Sequence, residues 1–376
     1  MSIETTVTRA WQRQAPWLWL LLPVSWLYGL VIRLRRYAYK SKWLSSYRAP
    51  IPVMVIGNIS VGGSGKTPLI IELVDYLQKQ GVGVGVISRG YGGDSSQMPA
   101  LVNASSTPNM VGDEPCLIVG MTNVPMAVSP NREQAITTLL VSHPDLQLIV
   151  ADDGLQHYAL QRDIEWIVVD AARGFGNEQL LPTGFLREPM SRLKGANVIY
   201  HDQLEVDPAD EANEGSNKAQ INHLTMHMQA EEMQQLWQPA SSDTPTIDSQ
   251  TNSTSPKKGC QVYAVSGIGY PQRFFDTLTS LGFDVIGYPY PDHYEFNLTE
   301  LLQYQDHPVV VTSKDAVKIR ALLVKATADK TLSNEYKALI GRLWVLPVTA
   351  VLSEDCYQLL ESQLKKLGID VKHNLA

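Results

Sequence analysis

A glycine-rich loop between an apolar strand and an apolar-periodic helix constrains this chain more than any other feature of its sequence. The loop reads Gly57-Asn-Ile-Ser-Val-Gly-Gly-Ser-Gly-Lys66-Thr67-Pro68. Its last three glycines let backbone N–H groups turn toward phosphate oxygens, and the N-terminus of the next helix adds a favourable dipole. The segment therefore predicts a phosphate-binding loop, and the alternative is a glycine-rich turn that binds no nucleotide.

The residues of this loop have expected contacts with ATP and Mg²⁺. Lys66 is expected to reach the β- and γ-phosphates, and Thr67 is expected to ligate Mg²⁺. The expected nucleotide-binding set is Gly62, Gly63, Ser64, Gly65, Lys66 and Thr67. The strict motif is missed at one position, because Ser60 stands where its first glycine belongs.

A pair of acidic residues follows another apolar strand, in Leu146-Gln-Leu-Ile-Val-Ala-Asp152-Asp153-Gly154. The carboxyl end of a buried strand is where ligands collect in open α/β sheets, and carboxylates there hold Mg²⁺ directly or through water. Alone, such an ending is often an ordinary turn. Together with the phosphate-binding loop it predicts metal handling by Asp152 and Asp153.

Adjacent acids also occur in Val111-Gly112-Asp113-Glu114-Pro115. Asp at the start of a helix can simply cap free N–H groups. In a kinase, a carboxylate near the γ-phosphate can instead orient the acceptor hydroxyl and take its proton. The residues alone leave both interpretations open.

Apolar runs of strand length alternate with segments of helical periodicity after residue 50. The runs are Pro52–Ile56, Val82–Ile87, Val124–Val128, Leu146–Val150 and Ile164–Val169. Such strands, separated by helices, predict a parallel sheet covered on both faces. A second α/β pattern begins at Cys260, and 376 residues are long enough for two domains. The expected fold class is α/β, with a P-loop NTPase-type lobe over residues 37–202 and a second α/β lobe over residues 260–376.

The segment between these two lobes, residues 203–259, is rich in Asp, Glu, Asn, Ser, Thr, Gln and Pro. That composition buries too little apolar surface to fold alone and predicts a polar surface insertion. One short apolar stretch, from His223 to Met233, interrupts it.

An apolar run extends from Trp17 to Ile32, and five Lys and Arg residues follow between positions 33 and 42. Its sixteen residues make a helix of about 24 Å, shorter than the roughly 30 Å hydrocarbon core. We predict a membrane-associated helix within residues 1–36, kinked at Pro23, that spans the bilayer or dips into one leaflet. The basic residues place its C-terminal end in the cytoplasm. The alternatives are a buried core helix and a signal sequence.

Composition excludes several classes of function. The net charge of −7 gives no general attraction to nucleic acid, which is therefore not an expected partner. The three cysteines are widely spaced, so the sequence indicates neither a disulfide framework nor a zinc site. No obligate protein partner is expected.

Seven motifs in this order resemble the tetraacyldisaccharide 4'-kinase family, the lipid A 4'-kinases of Gram-negative bacteria. They are GNISVGGSGKTP, SRGYGG, VGDEP, ADDGLQH, LREP, PDHY and TSKDAVK, and they extend over most of the chain. The resemblance implies phosphorylation by ATP of the 4'-hydroxyl of a tetraacylated glucosamine disaccharide 1-phosphate. It places the reaction at the membrane surface, on the cytoplasmic face of the inner membrane, with a lipid disaccharide as substrate.

The resemblance also implies roles for individual residues. Asp113 corresponds to the family's catalytic base, and His293 of the PDHY segment is its partner. The residues implied around Mg²⁺ are Glu114, Asp152 and Asp153 with Thr67, while Lys66 contacts phosphate. Weaker expectations for the phosphates or the sugar are Arg89, Tyr91, Arg132, His157 and Arg187. The chain departs from the family at Ser313, where the TSKDAVK segment is expected to carry Glu, so a role for that acidic side chain is absent.

Two other functions fit parts of the pattern. One is a membrane-anchored P-loop ATPase that acts as a switch on a partner protein. The other is a soluble kinase of a small metabolite, with the apolar helix buried in a dimer interface. A guanine-specific site is disfavoured, because Thr312-Ser-Lys-Asp315 lacks the spacer between Lys and Asp that the NKxD motif requires.

Overall fold

The structure is a computed structural model that describes residues 7–8, 10–11, 13–201, 224–237, 255–328 and 333–372. The described α-helices are α1 (Leu22–Lys40), α2 (Lys66–Lys79), α3 (Pro108–Val111), α4 (Asp113–Thr122), α5 (Arg132–Ser142), α6 (Pro271–Ser280), α7 (Leu298–Leu301), α8 (Ser313–Ala328), α9 (Asn334–Arg342) and α10 (Glu354–Lys366). Three short 3₁₀ helices lie at Pro16–Leu21, Ser95–Gln97 and Met190–Leu193.

The described strands form two mixed, mostly parallel sheets, which confirms the α/β class. They are β1 (Val53–Gly57), β2 (Val84–Ser88), β3 (Ala100–Val102), β4 (Met126–Val128), β5 (Leu148–Asp152), β6 (Ile164–Asp170), β7 (Asn197–His201), β8 (Thr225–Ala230), β9 (Gln234–Gln235), β10 (Gln261–Ser266), β11 (Asp284–Pro289), β12 (Val309–Thr312), β13 (Leu343–Leu346) and β14 (Val348–Leu352). We name each sheet with its packed helices a lobe.

The first lobe has nine described strands in the order β14-β8-β7-β6-β1-β5-β2-β4-β3. Strand β1 lies near the centre and pairs in parallel with β5 and β6, and all five of its residues are buried. Strands covered on both faces need apolar side chains on both, and this is why β1, β2 and β5 read as unbroken apolar runs. The phosphate-binding loop follows β1, and the acidic pair consists of the last residue of β5 and the residue after it, so both lie at the same edge of the sheet.

The second lobe has five described strands in the order β11-β10-β12-β13-β9. Strands β10, β11, β12 and β13 are parallel, and the short β9 pairs antiparallel with β13. Helix α8 of this lobe packs against α4 of the first lobe. The first turns of these two helices therefore meet between the lobes.

An antiparallel ribbon connects the two sheets. One strand of the ribbon runs from β8 into β9, and the other runs from β13 into β14, with Val348 opposite Ala230 and Trp344 opposite Gln235. Pro347 lies at the crossing, where a residue without an N–H cannot continue a ladder of hydrogen bonds.

The segment from β14 to α10 belongs to the first lobe, although residues 260–376 were all expected in the second. Strand β14 joins the nine-stranded sheet, and side chains of α10 belong to the core of that lobe. Residues 224–237, expected within a polar insertion, contain β8 and β9. The rest of that expected insertion between 202 and 254 lies outside the described residues. The boundaries at 36, 202 and 259 stay predictions.

The N-terminal apolar segment is a 3₁₀ helix followed by α1. Pro23 lies in the first turn of α1, where a missing N–H removes no intrahelical hydrogen bond, so the helix changes type there instead of kinking within α1. The helix at Pro16–Lys40 is long and apolar enough to cross a membrane, with a mean hydropathy of 1.6 and 17% of the apolar window buried. A buried core helix would have most of that surface covered.

One face of α1 docks on the first lobe through small and polar side chains. Ser25 is 2% exposed, and its hydroxyl donates to Thr183 Oγ1 at 2.8 Å while accepting from the Thr183 N–H at 3.0 Å. A Cβ at Gly29 would lie 2.9 Å from Leu180 Cδ1, so glycine permits the close approach. The Tyr28 hydroxyl donates to the Arg187 carbonyl at 3.2 Å.

Candidate active site

The phosphate-binding loop connects β1 to α2 and is held by its own side chains. Gly62 and Gly65 have φ of 101° and 86°, in the left-handed region that favours glycine. Asn58 Nδ2 donates to Ser64 Oγ at 3.1 Å and to the Gly62 carbonyl at 3.4 Å. Lys66 is the first residue of α2, so the free N–H groups at that helix end point toward the loop.

Ser60 needs no glycine-like backbone in this loop. It forms an isolated antiparallel bridge with Leu186, and it is absent from the described non-glycine residues with positive φ. A residue whose φ is not positive tolerates a side chain. The departure from the strict motif is therefore accommodated by the Leu186 segment.

Lys66 and the acidic pair meet at the ends of β1 and β5. Lys66 Nζ lies 3.6 Å from Asp153 Oδ1, and both Asp153 oxygens accept from Arg187, each at 2.9 Å. Arg187 also donates to Asn58 Oδ1, which links it to the phosphate-binding loop. Burial raises the pKa of Asp153, but Lys66 and Arg187 outweigh it and hold that pKa well below its usual range.

Asp152 points into the protein beside Asp153. It is 2% exposed, Oδ2 accepts from the Ser88 hydroxyl at 3.0 Å, and Oδ1 is buried with no hydrogen-bond partner among the described residues. Burial first, and then the charges of Glu114 and Asp153, raise its pKa. A buried carboxylate oxygen next to other acids is a position where a cation would be stabilised.

Asp113 and His293 form a hydrogen bond across the two lobes. His293 Nδ1 lies 3.0 Å from Asp113 Oδ2, and Asp113 is 5% exposed. Asp113 begins α4 directly after Gly112, and its Oδ1 accepts from the Glu114 N–H at 2.9 Å. The two open interpretations of this segment are thus compatible, because one oxygen accepts from the first helical turn and the other faces His293.

The pKa values of this pair move apart. Burial raises the pKa of Asp113. The hydrogen bond from His293 and the charges of Lys314 and Lys318 together lower it by more than burial raises it, so the net pKa is lowered. Burial lowers the pKa of His293, but its hydrogen bond to Asp113 and the negative charges of Asp113 and Asp292 together outweigh burial, so the net pKa is raised. His293 also has a φ of 58°, which is uncommon for a bulky residue and is typical of functional sites.

Lys314 is a site residue that the sequence analysis did not identify. Its Nζ lies 3.3 Å from Glu114 Oε1, 3.3 Å from Asp292 Oδ1, 3.3 Å from His293 Nε2 and 3.9 Å from Asp113 Oδ2. These acids outweigh burial and raise the pKa of Lys314, so it is an ammonium group. The signal was present, since Lys314 lies in the TSKDAVK segment, but only the α4–α8 contact places it beside Asp113.

The five residues with weaker expectations fall into different environments. Arg187 binds Asp153, as described above. Arg132 is 4% exposed and donates to the carbonyls of Ser129 and Asp152, so it supports the acidic turn from behind. Tyr91 is 62% exposed, and its ring centroid lies 4.9 Å from that of His293. Arg89 is exposed and His157 is half-buried. Their contacts with a substrate stay predictions.

Asp315, the residue after Lys314, has structural contacts. Asp315 is fully buried, where it accepts from the Gly267 N–H at 3.0 Å and the Thr312 hydroxyl at 2.8 Å and pairs with Lys318 at 3.0 Å. A carboxylate so enclosed cannot contact a guanine base, which agrees with the sequence argument against a guanine site.

The chain is similar in sequence to known proteins. The family model described as tetraacyldisaccharide-1-P 4'-kinase matches residues 17–365. The tetraacyldisaccharide 4'-kinase of Psychrobacter cryohalolentis is 67% identical over 371 residues, which are 99% of each chain. That of Psychrobacter arcticus is 67% identical over 378 residues, covering 99% of this chain and 97% of the relative.

A solved structure has a similar fold. It is a crystal structure of an "apo" form of LpxK from Aquifex aeolicus in complex with ATP, and it aligns with a TM-score of 0.65 at 25% sequence identity. The alignment covers 93% of this chain and 99% of the other.

Proposed function

Because this chain belongs to the tetraacyldisaccharide 4'-kinase family and is a kinase of lipid A biosynthesis, we propose that the cleft between its lobes transfers the γ-phosphate of ATP to the 4'-hydroxyl of a tetraacylated glucosamine disaccharide 1-phosphate. The observation that carries this assignment is that Glu114, the residue after Asp113, lies close enough to Asp152 for its charge to raise the Asp152 pKa, which links the Asp113–His293 pair to the Lys66–Asp153 pair. A phosphate donor and a proton acceptor are the two groups that a kinase must bring together.

The donor side is the loop after β1. The N–H groups from Gly62 to Thr67 and the N-terminus of α2 bind the triphosphate, and Lys66 contacts its β- and γ-oxygens. In the described structure Lys66 pairs with Asp153, which keeps its ammonium group near the phosphate position. Arg187 holds the same carboxylate from the other side, so Asp153 stays ionised and fixed when Lys66 turns to the nucleotide.

The described residues fit a Mg²⁺ ion that is bound together with ATP. The buried, unpartnered Oδ1 of Asp152 and the nearby Glu114 carboxylate are hard oxygen donors, and Thr67 and Asp153 complete the expected set. No three His, Cys, Asp or Glu side chains in the described part of the chain form a complete metal site. Mg²⁺ at kinase sites takes one or two carboxylates plus phosphates and water, and it neutralises phosphate charge when bound.

Asp113 is the proton acceptor in this proposal. Its lowered pKa keeps it ionised at neutral pH, and His293 holds Oδ2 in place from the second lobe. The acceptor oxygen attacks the γ-phosphorus, the bond from that phosphorus to the β-phosphate oxygen breaks, and the hydroxyl proton moves to Asp113. Arg89, Tyr91 and His157 contact the phosphates or the sugar, Arg187 stays bound to Asp153, and Arg132 acts by supporting the Asp152 backbone.

Lys314 positions this pair, and its replacement supplies a test. Lys314→Met removes the ammonium group that contacts His293 Nε2 and Glu114. Without that contact, Asp113 is the described hydrogen-bond partner that remains for the His293 ring, so the geometry of the pair is less fixed. We expect kcat to fall about 10- to 100-fold while the KM for ATP stays within threefold, since misplaced groups weaken the transition state more than nucleotide binding. Steady-state kinetics measure both.

Lys325→Met is the matched control for Lys314→Met. Lys325 lies on the same helix, α8, in its last turn and is exposed. We expect its kcat to equal that of the wild type. Equal kcat for Lys314→Met and the wild type would exclude a positioning role for Lys314.

The outer face of α1 brings the enzyme to its lipid substrate. Docking on the first lobe leaves twelve large apolar side chains exposed between Trp17 and Leu44. Three of them are Trp26, Leu27 and Leu30, which are 68%, 61% and 52% exposed. In the double variant Leu27→Asp/Leu30→Asp, two charges replace apolar groups, and charge in the hydrocarbon region costs a few kcal/mol per residue. We expect at least tenfold weaker cosedimentation with phospholipid vesicles at an unchanged Tm.

Val141→Asp is the control for this membrane prediction. Val141 is 78% exposed at the end of α5, so its replacement adds a charge without touching α1. Its vesicle binding should match that of the wild type. If the α1 variant bound vesicles as well as Val141→Asp, α1 would not be the membrane contact.

The function is tested by measuring ATP consumption with and without the acylated disaccharide in mixed micelles. We expect consumption to depend on the acceptor. Hydrolysis at the same rate without acceptor would support the ATPase switch, and turnover of a small soluble alcohol without detergent would support a soluble metabolite kinase.

A further inference from the structure

A second charged contact between the lobes lies at the ends of β6 and β7. It is made by Arg273, in the first turn of α6 in the second lobe. Arg273 Nη2 donates to Asp170 Oδ1 at 2.8 Å, and Nη1 lies 3.2 Å from His201 Nδ1. Asp170 and His201 end the adjacent strands β6 and β7, where they are register partners. Because Arg can only donate hydrogen bonds, His201 Nδ1 is the acceptor, and one guanidinium group spans two strand ends of the other lobe.

Asp170 also connects Arg273 to the phosphate-binding loop. Asp170 is buried, and the oxygen that accepts from Arg273 accepts from the Arg173 N–H as well, at 3.0 Å. The Arg173 side chain donates to the Val61 carbonyl at 2.6 Å, and a Cβ at Gly62 would lie 2.5 Å from its Nη1. The turn after β6 therefore packs directly against the loop, and Arg273 holds that turn from the second lobe.

The backbone just before Arg273 contacts the same loop. A Cβ at Gly269 would lie 3.1 Å from the Gly63 nitrogen, so glycine permits this close approach of the two lobes. The same Cβ would lie 3.1 Å from Asp292 Oδ2. Gly269 thus lies between the phosphate-binding loop and the segment that carries His293.

Hydrogen bonds join His293 to the turn at residues 266–269, which we name the glycine turn. The His293 N–H donates to the Gly267 carbonyl at 3.2 Å, and the Gly267 N–H donates to the buried carboxylate of Asp315 at 3.0 Å. Helix α6 follows the glycine turn in the chain. A shift of α6 relative to the first lobe therefore moves His293 relative to Asp113.

The two charged contacts between the lobes lie on opposite sides of the phosphate-binding loop. Asp170 ends β6, whereas Asp113 begins the helix before β4, and β6 and β4 lie on opposite sides of β1 in the sheet. A lobe held at one contact can rotate about it, but a lobe held at both has a fixed orientation. The side chains of Arg273 and Asp170 are 25% and 4% exposed, so salt screens this pair less than a surface pair.

We propose that Arg273 is a positioning residue for phosphoryl transfer, which pairs with Asp170 and so holds the second lobe where His293 reaches Asp113. This inference rests on the proposed function, in which the Asp113–His293 pair acts on the acceptor hydroxyl. Arg273 touches neither the nucleotide nor the acceptor. Its loss therefore lowers the rate through His293, and it has little further effect once the His293 ring is absent.

The test is a double-mutant cycle of Arg273→Met and His293→Ala in the full-length chain. Single-turnover transfer of labelled γ-phosphate to the tetraacyldisaccharide 1-phosphate is measured at saturating ATP. Arg273→Met should lower the rate about tenfold in the wild-type background and less than about threefold in the His293→Ala background, because only a group that is present can be misplaced. Arg273→Lys should recover part of the loss, since an ammonium group can pair with Asp170 but cannot span both partners.

Two further variants accompany the cycle. Lys337→Met is the matched control, because Lys337 is an exposed residue of α9 in the same lobe, and its rate should equal that of the wild type. Asp170→Asn removes the other half of the ion pair, while its carboxamide oxygen can still accept from the Arg173 N–H. It should reproduce the loss of Arg273→Met with the turn after β6 intact.

Titration of the His293 ring by NMR supplies a readout that does not depend on turnover. Burial lowers the pKa of His293, its hydrogen bond to Asp113 raises it, and Lys314 and Asp292 also face the ring with opposite effects. If Arg273 holds the ring at Asp113, Arg273→Met should lower the pKa of His293, and the control variant should leave it unchanged.

Three results would overturn the role of Arg273. They are an unchanged pKa of His293 in Arg273→Met, an equal fold loss of rate in both backgrounds, and the same loss in Lys337→Met. A wild type that transfers no phosphate to the lipid acceptor would instead overturn the proposed function, and the NMR titration would still decide whether Arg273 positions His293.

Discussion

Replacement of Asp113 by asparagine is expected to lower kcat for the lipid acceptor by about 10²- to 10⁴-fold, the range that removal of a general base produces. The carboxamide cannot take the hydroxyl proton, although its oxygen can still accept from His293 Nδ1. The Asp113→Asn variant thus keeps the contact between the lobes while losing the base. Steady-state kinetics should show the loss in kcat, with the KM for ATP changed less than threefold.

Asp292→Ala separates loss of the base from loss of negative charge. Asp292 also contacts Lys314, at 3.3 Å, but its nearest approach to the His293 ring is 3.9 Å and it makes no contact with Asp113. We expect Asp292→Ala to retain at least a tenth of the kcat. If Asp113→Asn kept kcat within threefold of the wild type at an unchanged Tm, Asp113 could not be the proton acceptor.

Replacement of Lys66 by methionine should lower kcat/KM for ATP by about 10³-fold. The ammonium group of Lys66 would stabilise the negative charge that develops on the β-phosphate as the γ-phosphoryl group leaves. Removal of such an electrostatic contact lowers the rate about 10²- to 10³-fold or more. The fold should persist, because Asp153 remains paired with Arg187 through two hydrogen bonds. Steady-state kinetics measure the loss of kcat/KM, and calorimetry on the same preparation measures nucleotide binding.

Lys79→Met is the matched control, since Lys79 lies at the other end of α2. It is 71% exposed on its side chain and pairs only with Asp75 among the described residues. Surface pairs of this kind contribute little to stability, so kcat/KM should stay within twofold. Normal turnover in Lys66→Met would refute the assignment of the loop to ATP.

The sequence predicted those parts of the site that are local along the chain. The loop after β1 and the acids after β5 were found because parallel strands bring their carboxyl ends to one edge, a rule that needs only strand order. The apolar runs were recognisable because a strand buried on both faces carries apolar residues at successive positions and does not alternate apolar with polar residues. Ser25 is a polar side chain within the apolar run from Trp17 to Ile32, and in the structure it lies on the docking face.

The parts that were missed depend on contacts between distant segments. Lys314 reaches Glu114 only because α8 packs against α4, and no spacing in the sequence encodes that packing. Strand β14 leaves the second lobe one residue after β13, and the return to the first sheet depends on its pairing with β8. Arg132 was expected near the substrate, but its burial behind Asp152 could not be inferred from its position before α5.

The central claim is that Asp113 and His293, from different lobes, act as one unit on the acceptor proton. A double-mutant cycle of Asp113→Asn and His293→Ala, measured as single-turnover transfer of labelled γ-phosphate to the tetraacyldisaccharide 1-phosphate, tests it most directly. Groups that act together give strongly non-additive losses. We predict that the double variant transfers phosphate within threefold of the Asp113→Asn rate. A rate reduced by the product of the two single losses would contradict the account.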